Sequence, residues 1–98
     1  MICHVVFYKM KSGTTEADER RLMDRARQEL AKLPGVMNLR VGKSIETSAQ
    51  GYSIALVMDF QDEAALQTYH TDPEHQHFVK NVAGPVVSEI WRLDFHWS

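Results

Sequence analysis

Residues 2–10, ICHVVFYKM, constrain this chain more than any other segment, because neither side of the strand they predict is polar. Successive strand side chains point to opposite faces, so Ile2, His4, Val6 and Tyr8 share one side and Cys3, Val5 and Phe7 the other. The last apolar segment, residues 86–97 (VVSEIWRLDFHW), sharpens the constraint by placing Val87, Trp91, Leu93, Phe95 and Trp97 on a single side. A sheet with one face in water alternates apolar with polar residues, so this sheet is expected to be covered on both faces.

Ninety-eight residues make one domain, residues 1–98, with no segment long enough to fold over a second sheet face. The expected cover is therefore a second copy of the chain, two sheets packing face to face as a homodimer with a barrel-like core.

The segments between these strands fill in the order. Thr14 or Thr15 can cap a helix carrying Leu22, Met23, Ala26, Leu30 and Leu33 at helical spacing, and Pro34-Gly35 stops it. Residues 36–45 read as a strand, residues 46–51 as a polar loop, and residues 52–60 (YSIALVMDF) as a third strand. Asp62 can cap a second helix through Ala64, Ala65, Leu66 and Tyr69, and Asp72-Pro73 restarts it until Gly84-Pro85. The order β-α-β-β-α(α)-β predicts an α+β, ferredoxin-like fold: a four-stranded antiparallel sheet with both helices on one face.

Charge and cysteine content narrow the function. Eleven basic against thirteen acidic residues leave a net charge of -2, and Arg20, Arg21, Arg25 and Arg27 are interleaved with Glu16, Glu19, Asp24 and Glu29, the pattern of a solvated helix face. No nucleic-acid partner is expected. A lone cysteine, Cys3, permits no internal disulfide, and neither a membrane span nor a signal region is evident, so a cytoplasmic protein without a membrane partner is expected. The chain has no Gly-x-Ser-x-Gly elbow and no phosphate- or dinucleotide-binding glycine motif, which points away from cofactor chemistry.

Five histidines remain to be placed. His75 and His77 with Asp72 invite a metal reading, but helix positions two apart diverge by about half a turn and cannot both face one ion, so no metal is expected. His75, Phe78, Val79 and Val82 fall at i, i+3, i+4 and i+7, which turns His75 inward, whereas His77 aligns with Lys80 and Asn81 on the surface, as His96 does near the end of the chain. If the His4 side of the first strand faces the helices, His4, Tyr69 and His75 converge between sheet and helices. Asp94, which shares the parity of Ile90 and Arg92, is the carboxylate that can orient one imidazole. A desolvated imidazole stays neutral and can take a proton, while a phenol can hold a carbonyl oxygen. The ordinary alternative for such residues is a hydrogen-bonded core.

The segments CHVVFYKMKSG, LPGV, VGKSIE, GYSIALVMDFQDEAALQTY and DPEHQHFV, with the closing LDF, span nearly the whole chain and resemble the stress-responsive dimeric A/B barrel (Dabb) family. That resemblance implies dimerisation through the sheets. It extends to olivetolic acid cyclase, a cofactor-free aldol cyclase, whose first-strand histidine and Tyr-x5-His pair fall on His4, Tyr69 and His75. Asp72 stands where that pattern has a histidine before the proline, and Ala26 where the cyclase has a tyrosine. The expectations are therefore a Dabb protein with a pocket for a small apolar or carbonyl-containing ligand, a cofactor-independent cyclase or lyase with His75 as general base, or a cofactor-free quinol-type monooxygenase.

Overall fold

Helix starts follow the caps written in the sequence, whereas the first helix ends at Glu29, before the expected stop at Pro34-Gly35. In the computed structural model, which describes residues 1–46 and 50–98, Thr15 caps α1 (Glu16–Glu29) through a capping box with Asp18. Asp62 accepts from the Ala65 amide to open α2 (Glu63–Thr71), and Asp72 accepts from Glu74 to open α3 (Pro73–Phe78) with proline at its start. The strands are β1 (Ile2–Met10), β2 (Met37–Lys43), β3 (Tyr52–Phe60) and β4 (Val87–His96). Residues 47–49 of the expected polar loop lie outside the described residues.

The strands form one antiparallel sheet in the order β2-β3-β1-β4, the ferredoxin-like arrangement. The even-numbered side chains from Ile2 to Tyr8 of β1 and from Ile54 to Phe60 of β3 face the helices, and Val6, Tyr8, Leu56, Met58 and Phe60 form the core with Leu22, Ala26, Leu66, Phe78 and Val82. On the opposite face Phe7 pairs with Trp91, Val5 with Leu93 and Cys3 with Phe95. That face is largely open in the single chain: Trp91 is 65% and Leu93 59% exposed, with Phe7, Phe95 and Trp97 each above 40%. Together they make a contiguous apolar strip of the kind that marks an interface.

The last helix departs from simple periodicity. After α3 the backbone widens into a π turn, Val79–Ala83, closed by the Gly84 amide on the Val79 carbonyl at 2.9 Å. The wider turn shifts the helical phase, so Val79 is not in the core stripe that periodicity suggests but is 38% exposed, at the rim of a cavity. Gly84 is required there: a Cβ would lie 2.8 Å from the Lys80 carbonyl oxygen and 3.1 Å from that of Val79.

Candidate active site

β4 is an edge strand, and the helices cover β1 and β3 more fully than they cover β4. Between the sheet and the segment from α2 to the π turn this leaves a cavity of about 350 Å³, within the usual range for a small-molecule site. Its walls are Val6, Leu56, Phe78, Val79 and Ile90, and its polar lining is His4, Tyr8, Tyr69, His70, His75 and Arg92. A second hollow, of about 540 Å³, lies against Phe7, Tyr52 and Trp91 on the open side of the sheet. Among the described residues it carries no cluster of histidines or carboxylates, and it belongs to the apolar strip.

His4 is 2% exposed and sits directly opposite Asp94 across the β1–β4 ladder. Directly opposed strand residues are close enough for side-chain bonding, and His4 Nδ1 lies 2.5 Å from Asp94 Oδ1. A carboxylate only accepts, so Nδ1 carries the proton and Nε2, on the other side of the ring, keeps its lone pair. The His4 ring meets Tyr69 edge-on at 5.8 Å and His70 at 5.6 Å between centroids.

Tyr69 and His75 are brought together by the break between α2 and α3. Their ring centroids lie 4.1 Å apart at a 36° tilt, and His75 Nδ1 makes a long contact, 3.4 Å, with the His70 carbonyl. Burial pushes the His75 imidazole below its ordinary range, and the neighbouring His70 and His4 rings add to that while the His70 carbonyl opposes it. Burial also pushes the Tyr69 phenol well above the ordinary tyrosine range, and that of Tyr8 up to about 12. The site therefore holds a neutral imidazole at His75 and two protonated phenols near neutral pH. His77 and His96 lie elsewhere: His77 takes a hydrogen bond from the Asn81 amide at 3.0 Å, and His96 faces Glu63 at 3.8 Å.

His70 is the site residue that sequence reasoning missed. It follows Tyr69 on α2, a step of about 100° around the helix, and no apolar stripe includes it. Its Nε2 is buried without a hydrogen-bond partner among the described residues. Its imidazole is lowered by burial first, then by His4 and Arg92, with Asp94 opposing.

His4, His70 and Asp94 each offer a ligand atom within 4.8 Å of the others, a donor set that suits zinc or a similar ion. Tetrahedral ligands about 2.0–2.1 Å from a metal lie roughly 3.3 Å apart. The 2.5 Å separation of His4 and Asp94 is that of a hydrogen-bonded pair, and the two would have to part to admit an ion.

The model of the Stress responsive A/B Barrel Domain matches residues 2–97. The chain belongs to this family. A Dabb family protein with a ferredoxin-like fold from Mesorhizobium loti superposes with a TM-score of 0.86 at 26% identity, covering 99% of this chain and 96% of its own. A dimeric ferredoxin-like protein of unknown function from Thermobifida fusca is similar at TM-score 0.85 and 19% identity, over 98% of this chain and 90% of that one. A hydroxynitrile lyase from Passiflora edulis is similar at TM-score 0.83 and 18% identity, over 96% and 90%. Comparison with curated protein sequences returns no match. At these identities the latter two structures speak to the fold. No described helix of this A/B barrel chain is long and apolar enough to cross a membrane.

Proposed function

We propose that the protein is a cofactor-independent acid–base catalyst of the cyclase or lyase type, acting on a small carbonyl compound held between sheet and helices. The observation that carries this reading is the buried His4, held by Asp94 and lining a cavity of about 350 Å³ beside the Tyr69 phenol. A base oriented by a carboxylate next to a protonated hydroxyl is what proton abstraction at a carbonyl compound needs. The lyase of similar fold from Passiflora edulis is in keeping with that class of chemistry.

In this reading His4 is the general base in place of His75. Asp94 holds the His4 ring and gives the protonated ring an ionic partner, whereas the hydrogen-bond contact of the His75 ring among the described residues is to a backbone carbonyl. His4 Nε2 takes a proton from a carbon beside the carbonyl, or from the hydroxyl of a carbinol whose neighbouring C–C bond then breaks. In the first case the electron pair of the C–H bond moves into the enolate, and the Tyr69 O–H holds the oxygen where charge gathers. In the second the O–H pair forms the carbonyl and the leaving carbon takes the C–C pair. His75, stacked on Tyr69, positions that phenol. The apolar walls keep bulk water away from the reacting atoms.

The catalyst works as a homodimer. Trp91, Leu93, Phe95, Trp97 and Phe7 form the apolar strip that a second copy would cover, and the similar protein from Thermobifida fusca is described as dimeric. The unpaired Cys3 thiol suits a reducing compartment such as the cytoplasm. The test is turnover of a panel of β-dicarbonyl compounds and cyanohydrins by the wild type and by His4→Asn. Turnover of at least one compound that is lost in His4→Asn supports the reading; turnover unaffected by the substitution, or none across the panel, contradicts it.

A further inference from the structure

Arg92 stands directly across the ladder from Val6, on the same side of β4 as Asp94, and lines the cavity. The other cations with acidic neighbours are spoken for: Lys9 with Glu89, Arg25 with Glu29, Arg27 with Asp24 and Lys43 with Glu19. Arg92 makes no ion pair or hydrogen bond among the described residues. Asp94, two residues along β4 on the same side, is committed to His4 at 2.5 Å. Deeper in the same cavity the Nε2 of His70 is buried and unpartnered.

Neither the Arg92 guanidinium, exposed at the rim, nor the buried Nε2 of His70 is bonded to an acceptor among the described residues. Buried polar atoms are nearly always satisfied, and one that is not signals a missing partner. Arginine presents a planar fork of donors that matches a carboxylate, which can accept from two partners at once. A neutral ketone supplies one oxygen, already sought by Tyr69, and leaves both Arg92 and His70 unmatched.

We infer that the ligand of this cavity is a carbonyl compound that also bears a carboxylate, received by Arg92 at the rim and by His70 Nε2 inside; this rests on the proposed carbonyl-binding role of the cavity. The carboxylate anchors one end of the molecule against β4, so that its carbonyl lies against Tyr69 and its acidic proton near His4. Arg92 and His70 are in this arrangement specificity-determining residues.

The test uses benzoylpropionate, a stable keto acid, and its methyl ester, with calorimetric titration of the wild type, Arg92→Gln, Arg92→Lys and Ile90→Trp, the last narrowing the cavity with an exposed-side residue. The expected result is that the wild type binds the acid at least about tenfold more tightly than the ester. That preference should vanish in Arg92→Gln and return in part in Arg92→Lys, and both compounds should lose affinity in Ile90→Trp. Equal binding of acid and ester by the wild type, weakened by Ile90→Trp, overturns the carboxylate preference and leaves the cavity reading standing. Binding of neither compound, or binding indifferent to Ile90→Trp, overturns both.

Discussion

Nδ1 of His4 and Oδ1 of Asp94 lie 2.5 Å apart, joining the first and last strands through one cross-strand pair. The pair sets the tautomer of His4 and so decides which ring nitrogen is free for chemistry. Asp94→Asn keeps the shape but can donate to Nδ1, which forces the proton onto Nε2. The expected outcome is a fall in turnover of about 10²–10⁴-fold with ligand affinity nearly unchanged, read from kcat and from titration of the same ligand.

The lowered imidazoles of His75 and His70 make stability depend on pH. Their folded-state values lie below the ordinary value of about 6.5, so just below that pH the unfolded chain binds more protons than the native one. Stability therefore rises with pH through this window: it is full above about 6.5 and is lost as the pH falls toward the folded-state values. Thermal melts across this range should show Tm falling on the acid side. His75→Gln, which cannot titrate, should have a shallower acid limb.

Covering the apolar strip is expected to hold two subunits together. Trp91, the most exposed of its large residues at 65%, would lie within that contact, and Trp91→Asp would bury a charge there without a partner. Sedimentation at micromolar concentration should give a dimer for the wild type and a monomer for Trp91→Asp.

Gly84 closes the π turn where two carbonyls crowd its missing side chain. Gly84→Ala should destabilise the fold by about 1–3 kcal/mol, measured by denaturant unfolding. Because the same turn carries Val79 to the cavity rim, ligand affinity should weaken as well.

The legible parts of this protein were those governed by strict periodicity or by a single capping residue. Strand parity separated Ile2, Val6 and Tyr8 from Phe7, Trp91 and Leu93, and the structure keeps that division. The Thr14-Thr15 pair, Asp62 and Asp72 marked the three helix starts because a cap is a local hydrogen bond, and Thr15 is the threonine of the pair that caps. The π turn was not legible, since its extra residue per turn leaves no mark in hydropathy, and with it went the true place of Val79. His70 was missed for a related reason: it lies one residue beyond the apolar stripe, and only the break before Pro73 folds α3 back so that the rings of His70 and His75 come within 6.1 Å. The partnership of His4 with Asp94 rather than with His75 depended on strand register, which parity alone does not set.

The most direct measurement is solvent deuterium uptake beside the carbonyl of benzoylpropionate, followed by proton NMR with the wild type and with His4→Asn. If His4, held by Asp94, removes that proton, deuterium enters about 100-fold or more faster with the wild type than with His4→Asn. Equal uptake with both proteins would contradict the assignment of His4 as the base.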